Sequence, residues 1–318
     1  MTKAAMLFPG QGSQYVGMGK DLVETFPRAR ELYAEADETL GMAISRISFE
    51  GDADTLTATK NAQPAILVHS IAVQRILAEE GEVAPAIAAG HSLGEYSALV
   101  AAGVVDAMDA LKIVRKRGEL MFEAGVRQPG SMAAIIGMER EALEAVCREA
   151  AAGETVVVAN VNSPGQLVVS GTVAAVERAM KLAEERGARK VVRLNVSGAF
   201  HSPLMSPAGR ELVEYIKTFP FRDASIGVVC NADAKVVTRS SEIIEALGRQ
   251  LTSPVLWADS MKVLCAIWSG PILELGPGAV LGGLLKRIDA ARPVQSIGTS
   301  AELSEALAAV VGRTPRSS

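Results

Sequence analysis

The chain has 318 residues, 49% of them hydrophobic and 21% charged, which calls for a large apolar core and excludes a disordered or fibrous chain. Its net charge of −4, with no long Lys/Arg run, gives no general attraction to nucleic acid or anionic lipid, so neither nucleic acid nor a membrane is expected as a partner. Met1-Thr2-Lys3 leads straight into a short apolar stretch with no signal-peptide core, and no later segment approaches a membrane span, so a cytoplasmic monomer is the expectation.

The first predicted strand, Ala4 to Phe8, ends in the loop Pro9-Gly10-Gln11-Gly12-Ser13-Gln14. Its G-x-G matches the opening of a dinucleotide-binding turn, but Tyr15 stands where the third glycine is needed, and no cofactor is expected. Ala65 to Leu77 reads as a helix, and His69, among Ile66, Leu67, Val68, Ile71 and Ala72, reads as a core or helix-face histidine. The apolar run Ala84 to Ala89 then leads into Gly90-His91-Ser92-Leu93-Gly94, and Glu95 to Ala102 forms a helix beyond it. G-x-S-x-G between strand and helix is the pattern of a nucleophile elbow, where flanking glycines let the backbone bend sharply and expose one hydroxyl. The alternative is a tight turn with an incidental serine. On the helix Asp109 to Phe122, the side chains of Ala110, Ile113, Val114, Leu120 and Met121 fall within about 60° of Arg117, which places a guanidinium in the middle of an apolar stripe.

From Gln128-Pro129-Gly130 the pattern changes to a strand at Ser131 to Ile136, a helix at Arg140 to Ala151 and a strand at Thr155 to Ala159. After the turn Asn162-Ser163-Pro164-Gly165 come a strand at Gln166 to Ser170, a helix at Val173 to Arg186 and a strand at Lys190 to Asn195. That βαββαβ order is the ferredoxin-like split unit. It predicts an inserted small domain over 128–196, flanked by a large α/β domain over 1–127 and 197–318 with a mostly parallel sheet. The large domain resumes with a strand at Ile226 to Cys230, a helix near Ser241 to Leu251 and a strand at Ile272 to Leu275 before Gly276-Pro277-Gly278. Arg313 to Ser318 is polar and expected to fray. Cys147, Cys230 and Cys265 are scattered and lack clustered histidines, so neither a disulfide framework nor a metal site is expected.

A serine hydroxyl needs a base within hydrogen-bond reach. Of the three histidines, His69 is assigned to a core and His91, adjoining Ser92 on a tight turn, can shape the site more readily than deprotonate its neighbour. His201, between Gly198-Ala199-Phe200 and Ser202-Pro203, remains as candidate base, the alternative being an exposed loop histidine. Arg117 needs an anion, either an internal Asp or Glu or a substrate carboxylate gripped bidentately. An oxyanion hole would take the backbone N–H of Leu93, after the nucleophile, and a second from the loop after a neighbouring strand, which Gln11 can supply.

Phe8-Pro9-Gly10-Gln11-Gly12-Ser13-Gln14, Gly90-His91-Ser92-Leu93-Gly94-Glu95-Tyr96, Arg117, Asn160-Val161-Asn162-Ser163-Pro164-Gly165-Gln166 and Gly198-Ala199-Phe200-His201-Ser202 together resemble the malonyl-CoA:acyl carrier protein transacylase family, in order and over nearly the whole chain. The resemblance implies an α/β-hydrolase-like large domain with a ferredoxin-like insertion, and transfer of malonyl from malonyl-CoA to the phosphopantetheine thiol of acyl carrier protein through a malonyl-serine, for fatty acid synthesis. It implies Ser92 as nucleophile, His201 as base, the Gln11 and Leu93 amides as oxyanion hole, and Arg117 on the malonyl carboxylate. In place of a triad acid it implies a backbone carbonyl near Gln250 that orients the histidine. Asn160 and Asn162 match positions near the family's cleft, or else are turn residues of the small domain. Phe200 matches the malonyl-selective form, in which bulk beside the histidine disfavours a branched acyl chain. Arg189, Lys190 and Arg193 are candidates for a basic docking patch, or else a solvated strand edge. A freestanding acyltransferase that loads polyketide carrier proteins is the alternative function.

Overall fold

In the computed structural model, which describes residues 2–196 and 198–311, hydrogen bonding divides the strands into two sheets. The first contains β1 (Thr2–Phe8), β2 (Val83–Gly90), β7 (Gly227–Val229), β8 (Val236–Val237), β9 (Ile272–Leu275) and β10 (Gln295–Ile297) in the order β10-β9-β1-β2-β7-β8. All its pairings are parallel except β7 with β8. The second contains β3 (Gly130–Ile136), β4 (Val156–Ser163), β5 (Gln166–Thr172) and β6 (Lys190–Arg193), antiparallel throughout, in the order β4-β5-β3-β6. The fold is mixed α/β. Tail residues 313–318, expected to fray, lie outside the described residues.

β1 from Ala4 and β2 from Ile87 are buried without alternation, as expected of strands covered on both faces, which is why Ala4–Phe8 and the end of Ala84–Ala89 read as continuous apolar runs. The helix Thr59–Glu80, longer than its periodic part predicted, lies almost wholly in the core and carries Gln63, Pro64 and His69. His69 is fully buried, and its Nε2 lies 2.8 Å from the Gly298 carbonyl oxygen, as expected of a core histidine. β4 runs on through Ser163, so Asn160 and Asn162 sit within a strand and the turn contracts to Pro164-Gly165. Gly165 has φ +65°, which supplies the left-handed step that this tight connection needs.

The two chain crossings between the sheets run side by side. Gly130 lies against Ala199, where a side chain would clash. The small sheet is also tied to the segment after Gln250, since Val161 N–H donates to the Val255 carbonyl at 2.9 Å and Val255 N–H to the Ala159 carbonyl at 2.9 Å. Met132, Ala159 and Val168 of the small sheet pack into the same apolar cluster as the large-sheet helices, so the cleft between the sheets has a continuous floor. Among the described residues no helix is long and apolar enough to cross a membrane.

Candidate active site

The carboxyl ends of β1, β2 and β7 lie together because the register pairs Phe8 with Gly90 and Ala89 with Val229. Crevices at such strand ends are where open α/β sheets bind ligands. The loop after β1 brings Gln11, the loop after β2 brings Ser92, and β7 delivers Asn231 two residues beyond its end.

The elbow differs in detail from the sequence expectation. Ser92 itself takes the left-handed conformation, with φ +51°, while Gly90 and Gly94 serve close approach: a Cβ at Gly90 would strike the Gly94 backbone, and one at Gly94 the Phe8 carbonyl. A non-glycine residue held there costs on the order of 1–3 kcal/mol. Asn231 opposes that cost, since its Oδ1 accepts from Ser92 N–H at 2.6 Å and its Nδ2 donates to the Gly90 carbonyl at 2.7 Å.

His201 is buried, not exposed on its loop, and also has positive φ, +56°. Its Nε2 lies 2.8 Å from Ser92 Oγ, and its Nδ1 lies 2.9 Å from the backbone carbonyl of Gln250, at the end of the helix Ser240–Gln250. With Nδ1–H donating to that carbonyl, Nε2 presents a lone pair to the serine hydroxyl. Burial, with the nearby Arg117 charge second, pushes the imidazole down to about 3, so it is neutral at ordinary pH. His91 turns away, its Nε2 lying 2.8 Å from Asn162 Oδ1 and its ring against Trp257.

Arg117, on the helix Ala107–Arg127, is 1% exposed, and no carboxylate among the described residues lies within ion-pair distance of it. Its NH1 donates to Gln63 Oε1 at 2.6 Å, and its NH2 donates to Gln250 Oε1 at 3.0 Å and to Ser92 Oγ at 3.0 Å. Its Nε has no hydrogen-bond partner among the described residues, and the guanidinium lies 5.6 Å from the centre of the Tyr96 ring. Burial depresses its basicity, although a guanidinium stays charged throughout the working range. A buried cation solvated by neutral oxygens alone is poised to take up an anion.

Ser92, His201, Arg117, Gln63 and His91 line a cavity of about 170 Å3, together with Gln11, Leu93, Asn160, Asn162, Phe200, Met132 and Val168. That is space for several water molecules, and so for a short acyl group. Among the described residues the backbone N–H groups of Gln11 and Leu93 donate to no protein acceptor, while the Gln11 side chain donates to Thr59 Oγ1 at 3.2 Å. No group of three or more His, Cys, Asp or Glu side chains among the described residues is placed to hold a metal. Of the basic trio at the strand edge, Arg193 is engaged with Glu177 at 2.8 Å, while Arg189 and Lys190 are exposed.

Gln63, Asn231 and Glu95 escaped the sequence reading. Gln63 sits on the apolar helix and faces Arg117, a polar residue on a buried face being the available signal. Glu95 directly follows the pentapeptide, yet it is 1% exposed, and burial raises its carboxyl above the usual range. Asn231 carried no local signal.

A family model for the acyl transferase domain matches residues 5–298. The malonyl CoA-acyl carrier protein transacylase of Bacillus subtilis is 50% identical over 290 residues, 91% of each chain, and that of Escherichia coli strain K12 is 44% identical over 91% of this chain and 93% of the relative. Among solved structures, the malonyl-CoA:acyl carrier protein transacylase of Xanthomonas oryzae superposes with a TM-score of 0.94 at 44% identity, covering 97% of this chain and 99% of that one. A malonyl-transacylase solved in complex with its type II PKS acyl-carrier protein superposes with a TM-score of 0.93 at 40% identity, covering 97% and 100%.

Proposed function

The chain belongs to the malonyl CoA-acyl carrier protein transacylase family, and from that membership we propose how its residues divide the reaction. It is an acyltransferase that moves malonyl from malonyl-CoA to the thiol of acyl carrier protein. The observation that carries the assignment of roles is Arg117: a buried guanidinium without a carboxylate partner among the described residues, whose NH2 is 3.0 Å from a candidate nucleophile inside a small cavity.

Ser92 Oγ attacks the thioester carbonyl while His201 Nε2 takes its proton, and the Gln250 carbonyl holds the resulting imidazolium through Nδ1–H. The Gln11 and Leu93 amides receive the oxyanion. Collapse breaks the C–S bond, the sulfur takes the proton back from His201 and coenzyme A leaves as a thiol. The carrier's phosphopantetheine thiol then attacks the serine ester by the reverse sequence, in a ping-pong cycle. Arg117 grips the malonyl carboxylate throughout. Since the Arg117 charge helps depress His201, a carboxylate placed on the guanidinium restores basicity to the imidazole when the correct substrate is present. Phe200, beside the base and lining the cavity, crowds a branched acyl chain, a discrimination worth about 1–3 kcal/mol per methyl. Asn162 acts through His91, and Asn160 lines the same cavity.

Residues 128–196 form the ferredoxin-like insertion in this reading, supported by the βαββαβ order and the strand order β4-β5-β3-β6, and 1–127 with 197–318 form the α/β-hydrolase-like domain, supported by the elbow at the end of β2. Arg189 and Lys190 contribute to carrier docking, with fatty acid synthesis as the pathway served. Intact mass measurement after mixing the protein with malonyl-CoA tests the scheme. A malonyl adduct localised to Ser92 is expected, and an adduct on another residue, or none, would overturn it.

A further inference from the structure

Glu95 takes no part in the chemistry above, yet it is a nearly completely buried carboxylate on the helix Gly94–Ala101, three residues beyond the nucleophile. Its Oε2 accepts from Gln250 Nε2 at 2.7 Å and from Asn231 N–H at 3.3 Å. Two N–H donors converge on Oε2, so that one oxygen serves both as acceptor. Gln250 is therefore held at both ends of its side chain. Its Nε2 lies between Glu95 Oε2 and the Ser92 carbonyl, at 3.0 Å from the latter, and its Oε1 faces Arg117 NH2. A half-turn of that amide would set its NH2 against a guanidinium and its oxygen against two acceptors.

We propose that Glu95 is a positioning residue for malonyl recognition: by accepting from Gln250 it fixes the amide that aims the Arg117 guanidinium at the acyl pocket. The amide also keeps Glu95 one residue away from Arg117, so no internal ion pair closes the fork to substrate. The inference rests on the reading of Arg117 as the carboxylate clamp. A purely structural role for Glu95, bracing the elbow through Asn231, would slow every acyl group alike; aiming Arg117 affects only acyl groups that carry a carboxylate.

The test measures Ser92 acylation rates by quenched intact mass with malonyl-CoA and with acetyl-CoA. The proteins are the wild type, Glu95→Gln, Gln250→Met and the double variant; Gln250→Met keeps the backbone carbonyl used by His201. Glu95→Gln can present either end of its amide to Gln250, so the malonyl-to-acetyl rate ratio should fall about tenfold, as for one hydrogen bond to a charged group. Gln250→Met should lower the ratio similarly, and the double variant should fall no further than Gln250→Met, because Glu95 acts through Gln250. An unchanged ratio in Glu95→Gln, or a double variant equal to the product of the singles, would overturn the proposal. Should Glu95→Gln not fold, an unchanged ratio in Gln250→Met overturns it equally. Absence of a malonyl-serine in the wild type would instead strike the reading of the site itself.

Discussion

Replacing Gln63 with Glu would hand Arg117 the internal anion that the native site withholds. The two side chains have the same shape, and Gln63 Oε1 already accepts from Arg117 NH1 at 2.6 Å, so geometry changes little while the charge partner changes completely. Unit charges 4 Å apart interact by about 4 kcal/mol at the effective dielectric of 20 that describes protein sites, and part of this is lost to desolvating the new carboxylate. The net worth of hydrogen bonds to charged groups, about 1.5–3 kcal/mol, is the better guide to what a malonyl carboxylate forfeits when it meets an already neutralised guanidinium. Malonylation of Ser92 should therefore drop by about 10- to 150-fold in kcat/KM, since each 1.4 kcal/mol is a factor of ten. Acetylation, which uses no carboxylate contact, should stay near its wild-type rate. Stopped-flow or rapid-quench acylation with both thioesters reads the two numbers in one preparation. If Gln63→Glu slowed both substrates equally, or neither, the guanidinium would not be the group that selects the acyl cargo.

Arg117→Ala should weaken malonyl transfer by about 2–5 kcal/mol, as for truncating one partner of a buried charge pair, while sparing or improving acetyl transfer; equal losses in side-by-side kinetics would count against the clamp. His201→Ala should slow acylation of Ser92 by about 10²- to 10⁴-fold, and a near-normal burst in single-turnover assays would point to another base. All three imidazoles are held low by burial, His69 to about 4, His201 to about 3, and His91 likewise below its ordinary value. In the unfolded chain they protonate near 6.5, so the stability contributed by His69 and His201 is whole above that value and declines as pH falls toward about 4 and about 3 respectively, by up to about 1.4 kcal/mol per pH unit for each. NMR of labelled imidazoles should show neither His69 nor His201 titrating in the folded protein between about pH 7 and 5, and an inflection near 6.5 for either would refute the assigned burial.

Local features were readable wherever local pattern decides structure. The helix over Arg140–Ala151 and the strand at Ile272–Leu275 came out at their observed bounds, because an amphipathic repeat or an apolar run bounded by turn residues is complete within a few residues. β4 ended too early, since Asn160 and Asn162 resemble turn residues and only pairing with β5 and with Val255 keeps that stretch extended. The pentapeptide was legible as an elbow, but the division of labour within it was not. Which residue bears positive φ depends on Asn231, supplied by a strand far away in the chain.

The amino-acid order alone determined that a serine stands on a strand-to-helix bend, that His201 is the candidate base left by elimination, and that an arginine is embedded in an apolar stripe, because each is a matter of spacing and composition. Tertiary structure alone decided what those groups face. The carbonyl that orients His201 belongs to the peptide backbone, which carries no side-chain signature, and whether Arg117 meets an internal carboxylate or open space depends on Gln63 and Gln250 arriving from two other helices. Charge pairing across a core is a long-range property, and that no carboxylate among the described residues reaches this guanidinium is decided only in three dimensions.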